Sequence, residues 1–198
     1  MQPNPTVQRH YRLALSIGAL VLSIVLAGCT GIPKGITPIQ GFQLERYLGT
    51  WYEIARLDHS FEEGLNNVTA TYQRRPDGGI DVLNRGYDPA RKAWREAKGR
   101  AYFLADPETA SLKVSFFGPF YGGYHVMALD SNYRWAMISG PSHKYFWVLA
   151  RTPDLPEGLL DNLLQTARQS GFDLKSLIRV KHDISKTSQP RNQNGPDH

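Results

Sequence analysis

Asn66-Asn-Val-Thr-Ala-Thr-Tyr-Gln-Arg-Arg75, then Pro76-Asp-Gly-Gly79, then Ile80-Asp-Val-Leu-Asn-Arg-Gly-Tyr87 is the stretch that decides the fold. Val68, Ala70 and Tyr72 alternate with Thr69, Thr71 and Gln73. A period of two sends successive side chains to opposite faces of a strand. Asp77-Gly78-Gly79 supplies the residues that turn one strand back on the next. The stretch predicts an antiparallel hairpin with one apolar face.

The pattern recurs on both sides. Residues 51–58 read as a strand before it. Residues 94–105 follow the Asp88-Pro89 turn and stop at Asp106-Pro107. Leu112, Val114 and Phe116 alternate with Ser111, Lys113 and Ser115. Gly118-Pro119 breaks the chain, after which residues 124–129, 133–139 and 145–150 complete a series of eight strands. A helix follows: Asp154 reads as its capping acid, and Pro156 stands early in it. Leu159, Leu160, Leu163, Leu164 and Ala167 form its apolar stripe, and Gly171 is placed to stop it. Residues 174–180 add a short terminal strand. The expected class is all-β with one α-helix: an eight-stranded antiparallel up-and-down β-barrel or a sandwich, with the helix lying on its outer wall.

Composition agrees with one folded unit. Of 198 residues, 41% are hydrophobic and 21% charged, enough to build a core and too apolar for wholesale disorder. Eighteen Gly and 13 Pro occur without a period, which excludes collagen and fits many turns. The single cysteine excludes an internal disulfide, a CxxC redox pair and a Cys-rich zinc site. A formal charge of +5 is too small to argue nucleic-acid binding.

That cysteine sits at an informative place. Arg9 and Arg12 precede an apolar run, residues 13–26, which is too short to span a bilayer and suits a signal peptide. Leu26-Ala27-Gly28-Cys29 closes the run and resembles the lipobox of bacterial lipoprotein precursors. The resemblance implies a signal peptide over 1–28, cleavage before Cys29, and acylation of Cys29 on sulfur and amine. Several acyl chains hold a protein on a membrane where one holds only marginally. Thr30 rather than Asp follows, resembling the outer-membrane pattern and implying the periplasmic face. Residues 29–41 then read as an extended tether and 183–198 as a disordered tail, which leaves 42–182 for the barrel and helix.

Three further features stand together. Gly49-Thr50-Trp51 opens the first strand, Asp130-Ser-Asn-Tyr133 lies at the turn between the sixth and seventh, and Arg151 ends the eighth. In this order they resemble the lipocalin family, and with the lipobox the chain resembles a bacterial outer-membrane lipocalin. Trp51 supplies area to plug the narrow end, and Arg151 can lie over its indole, a contact of roughly 0.5–2 kcal/mol. These residues are expected to be structural. Strand parity then assigns the inner face: Glu53 and Ala55 with Trp51; Trp147, Leu149 and Tyr145 with Arg151; Leu112, Val114 and Phe116; Val68, Ala70 and Tyr72; Tyr124 and Val126; and Asn84. Glu53, Tyr72, Asn84, Phe116, Tyr124 and Trp147 are the candidate cavity residues.

The resemblance implies a calyx holding a fatty acid or lysophospholipid, for storage, transport or membrane maintenance under stress. No metal or other cofactor is expected, and a homodimer is possible by resemblance. Two alternatives stand beside it: a lipid-modifying enzyme on the same barrel, and a filled barrel acting through a protein partner. Against the first, His59, His125, His143 and His182 are scattered without metal-ligand spacing. Asp58, Glu62 and Glu63 read as a solvated loop.

Overall fold

The computed structural model describes residues 30–183. Residues 1–29, with the expected signal peptide and Cys29, and residues 184–198, where the tail is expected, lie outside the described residues. Eight strands alternate in direction: β1 (Gly49–Leu57), β2 (Asn66–Arg74), β3 (Ile80–Asp88), β4 (Ala93–Phe103), β5 (Ser111–Phe117), β6 (Phe120–Leu129), β7 (Trp135–Ser139) and β8 (Phe146–Ala150). Each pairs antiparallel with the next, β8 pairs with β1, and β1 returns to β2, so the sheet closes into a barrel. Two helices and a short strand complete the fold: α1 (Leu44–Tyr47), α2 (Glu157–Gln169) and β9 (Leu177–Arg179).

The closure is lopsided. β1 keeps β2 only from Gly49 to Tyr52, then takes β9 as neighbour from Ala55 to Leu57. A bulge between Glu53 and Ala55 makes the change possible. One extra residue reverses the side-chain alternation beyond it. Trp51 and Glu53 therefore face the axis as parity predicts, but Ala55 does not. It packs outside with Ile54 and Leu57, and Arg56 turns inward in its place.

Two apolar clusters follow from this alternation. The inner one joins Trp51, Tyr72, Val82, Leu112, Val126 and Leu149 with Phe42 and Tyr47 from the α1 region. The outer one sets Leu160, Leu163, Leu164 and Ala167 of α2 against Ile54, Phe146 and Val148. The helix thus lies on the outer wall. Its start differs from expectation: Pro156 is the N-cap and Asp154 does not cap. Its end is a Schellman turn. Gly171 has φ +95°, its N–H bonds Arg168 O at 3.0 Å, and the Phe172 N–H bonds Ala167 O at 3.1 Å.

The segment before α1 is extended and docked along the wall. Ile39 N–H bonds Val126 O at 2.9 Å, and Ala110 N–H bonds Ile39 O at 3.0 Å. Gly31 O accepts from His125 Nε2 at 3.1 Å, so Nδ1 of that buried ring accepts the Ser111 hydroxyl at 2.8 Å. At the other terminus, Asp183 N–H bonds Asn67 Oδ1 at 2.6 Å, tying the end of the described chain to β2.

Candidate functional site

The two ends of the barrel differ. At the end where β1 begins, Trp51 is wholly buried and its Nε1–H donates to Tyr47 O at 2.8 Å. The Arg151 guanidinium lies 3.9 Å from the Trp51 ring centroid. It also donates to Arg46 O at 2.7 Å, and to Leu48 O and Thr50 O at 2.9 Å each. One side chain thereby ties α1, the start of β1 and the end of β8. Gly49 has φ +90°, a backbone that L side chains rarely adopt, at the point where the chain enters the barrel.

The turn between β6 and β7 completes this end. Asp130 accepts from Arg134 Nε at 2.9 Å and from the Asn132 N–H at 3.1 Å, and the Arg134 bonds hold its carboxyl below the usual range. Tyr133 has φ 59°, and its hydroxyl accepts the Gln43 N–H at 2.9 Å while Arg46 covers its ring. This end is sealed by α1 and these contacts.

The opposite end carries the connections 58–65, 89–92, 118–119 and 140–145. Here side chains that face the axis remain reachable by water. Val114, Phe116, Tyr124 and Trp147 pack on the inner cluster yet are only half-buried. Ala97, paired with Asn84 across β3 and β4, is exposed. Ala97 is on the face of β4 that carries the buried Gly99 and Ala101, so its exposure marks water-accessible space inside this end of the barrel. The interior is therefore closed around Trp51, Ala70 and Tyr72 and reachable by water towards the opposite end.

The floor of the open part is polar at one point. Tyr124 Oη lies 2.6 Å from Tyr47 Oη and 3.0 Å from Tyr72 Oη. Burial holds all three phenols above their ordinary range. On the β1 side, Arg56 Nη1 donates to Glu53 Oε1 at 2.7 Å and Nη2 to Glu62 O at 2.7 Å. Trp147 Nε1–H donates to Glu62 Oε2 at 3.2 Å, and His59 Nε2 sits 3.2 Å from the same oxygen. Burial raises both carboxyls, and Glu62 raises Glu53 further. The nearby Arg56 guanidinium offsets part of that rise in both carboxyls. Burial, with Arg56 nearby, pushes His59 down to about 4. Two inward polar atoms, Asn84 Oδ1 and Arg56 Nε, have no hydrogen-bond partner.

Four of the six candidate cavity residues, Tyr72, Tyr124, Phe116 and Trp147, pack on the inner cluster; Glu53 joins the charged group, and Asn84 stands apart on β3. Sequence reasoning missed Tyr47, Arg56 and Glu62. Glu62 corrects the reading of its loop as solvated: it is 6% exposed, while its neighbours Asp58 and Glu63 are exposed. Nothing in the local pattern marks it, because its burial depends on Arg56 reaching it from beyond a bulge. Among the described residues, no group of three metal-ligating side chains comes together.

The comparisons with known proteins agree with this architecture. A sequence model of the lipocalin-like domain matches residues 42–182. The chain is 50% identical over 172 residues to the outer membrane lipoprotein Blc of Citrobacter freundii, covering 86% of this chain and 97% of that protein. It is 50% identical over 167 residues to the Blc lipoprotein of Vibrio cholerae, covering 84% and 98%. Insecticyanin from the tobacco hornworm Manduca sexta shares the fold at 19% identity, with a TM-score of 0.62 over 79% of this chain and 89% of that one. A barrel sealed by Trp51 and Arg151, a matching domain model and half-identical relatives of nearly full length lead to one assignment: the chain belongs to the lipocalin-like family.

Proposed function

We propose that the protein is a lipid-anchored outer-membrane lipocalin whose barrel holds a single-chain amphiphile, a fatty acid or a lysophospholipid, and that it binds rather than converts it. The observation that carries this reading is the one-ended hollow. Val114, Phe116, Tyr124 and Trp147 face the axis and still meet solvent, while the other end is closed. Each methylene moved from water into such a wall contributes about 0.8 kcal/mol. Eight strands leave room for one slender chain. The tail lies against Val114 and Phe116, and the head stays at the level of Arg56, Asn84 and Trp147. The Blc relatives are named outer membrane lipoproteins, and the lipobox ending in Cys29 supplies the matching attachment site.

Native mass spectrometry of the soluble Cys29→Ala protein tests the reading. A co-purified lipid, or stoichiometric uptake of added palmitate without product formation, is the expected result. A protein that emerges empty and ignores both palmitate and lysophospholipid would overturn it. Turnover of the added lipid would replace binding by catalysis.

A further inference from the structure

Among the described residues five large apolar side chains are exposed, and they are not scattered. Phe117 is 78% exposed and Phe120 74%, facing each other across the β5–β6 hairpin tip. Phe61, 50% exposed, is in the 58–65 connection at the same end. Leu104 alone belongs to the sealed end, and it is the least exposed at 38%. Gly118 and Pro119, between the two phenylalanines, are exposed as well. A hairpin that ends in two bare aromatic rings has no packing reason to do so. Contiguous exposed apolar surface marks a contact with another protein or with a membrane.

The path of the N-terminal segment decides between these. The described chain begins at Thr30, whose carbonyl lies 3.2 Å from where a Gly123 Cβ would stand. Gly123 is three residues from Phe120, about 10 Å along a strand. From there the segment runs away from the mouth, bonding Val126 and Ala110 through Ile39 before Phe42 N–H reaches Glu108 O at 2.9 Å. Ile32, 48% exposed, stands at its start. Thr30 is thus held on the wall nearer the open rim than the sealed end, and the residue before it in sequence is Cys29. An acyl anchor there brings that rim, and not the sealed end, to the lipid.

We infer that the open rim is a membrane-docking surface: Phe117 and Phe120, with Phe61, enter the lipid leaflet and seat the mouth of the barrel directly on it. This rests on the proposed anchor and lipid ligand, and adds how the ligand arrives. An acyl chain passes from leaflet to barrel without crossing water. Charge is a minor part of the contact, since the exposed Lys92 and Lys144 at this end are matched in number by the exposed Asp58 and Glu63. Binding should therefore survive high salt, unlike attraction of a basic patch to anionic lipid.

The test uses the Cys29→Ala protein, which has no anchor, and vesicles of phosphatidylethanolamine and phosphatidylglycerol. The unlipidated protein should co-sediment with the vesicles at low and high salt. The Phe117→Ser/Phe120→Ser double variant should lose at least tenfold in partitioning, and Leu104→Ser should lose nothing. A Phe120→Trp variant should shift its emission to the blue on adding vesicles and be quenched by brominated acyl chains. Palmitate binding in vesicle-free solution reads the barrel separately, so failure of the rim and failure of the pocket give different results. Equal partitioning of the double variant, or no partitioning of the parent protein, would overturn the inference. So would a dimer in vesicle-free solution that the double substitution dissociates, since the rings would then serve a second copy of the chain.

Discussion

Arg151→Met is the sharpest probe of the sealed end. Methionine keeps most of the aliphatic stem and removes all five N–H donors. Three carbonyl contacts of 2.7–2.9 Å disappear, to Arg46, Leu48 and Thr50, together with the cation over Trp51 at 3.9 Å. The Arg46 and Thr50 bonds lie at exposed positions, so those carbonyls return to water and each counts a few tenths of a kcal/mol. Leu48 O is part-buried and loses a charged donor, about 1.5 kcal/mol. The cation–π contact adds about 1 kcal/mol. The expected loss is about 3 kcal/mol, or roughly 10 °C in Tm for a domain of this size. Urea unfolding followed by tryptophan fluorescence measures it, and palmitate affinity measured alongside should be nearly unchanged. A loss below about 1 kcal/mol would refute the idea that this guanidinium clamps α1 and β8 to the barrel entry. Weakened palmitate binding with intact stability would instead place Arg151 in the ligand site.

Filling the hollow should abolish binding without unfolding: Val114→Trp projects an indole into the open half of the barrel, and isothermal titration with palmitate should show at least a tenfold loss at unchanged or raised Tm. Gly171→Ala forces an L side chain to φ +95°, with its Cβ 3.3 Å from His143 Nε2, and should cost about 1–2 kcal/mol by chemical denaturation. The mouth carries two opposed pH dependences. Glu53 is raised in the folded state, so stability falls as pH rises from the unfolded carboxyl range through its native value, and Glu53→Gln should remove that fall. His59 is lowered to about 4, so its contribution is complete above its unfolded value near 6.5 and is lost as pH falls toward 4; His59→Gln should remove that loss. Urea midpoints between pH 4 and 8 separate the two, and unchanged profiles in both variants would contradict the buried cluster.

The regular strands were legible, and the irregular positions were not. On β5 and β8 alternation is unbroken through Leu112, Val114, Trp147 and Leu149, and parity alone places them facing the axis. On β1 the bulge after Glu53 defeats parity at Ala55, and Arg56 and Glu62 are lost with it. β6 begins at Phe120 rather than 124, because Gly122-Gly123 hides a strand behind turn-like residues. A Cβ at Gly123 would meet His125 Nε2 at 2.6 Å, so the glycine answers to the N-terminal segment laid over it, a tertiary cause no local pattern carries. β7 starts at Trp135 rather than 133 because Tyr133 is in the left-handed turn that presents its hydroxyl to Gln43. Four residues of α1 give no period to read, yet they bring Tyr47 to the floor of the hollow.

These irregularities share a consequence. A barrel of uninterrupted alternation would pair β1 with β2 along its whole length and bury apolar groups at both ends alike. The bulge lets β1 exchange β2 for β9 and, in the same step, swings Arg56 inward to meet Glu53 and hold Glu62. Burying three ionisable groups in place of apolar ones is a net cost to stability unless their hydrogen bonds are nearly complete, and here Arg56 Nε is left without a partner. The sealed end shows no such concession: its one inward cation reaches only carbonyls and an indole. The cost of buried charge is therefore concentrated at the mouth, where the 58–65 connection hangs on Arg56 and Trp147. Local opening should begin there and leave the Trp51 end closed, which is the order of events a barrel needs if a lipid is to enter by one end without loosening the other.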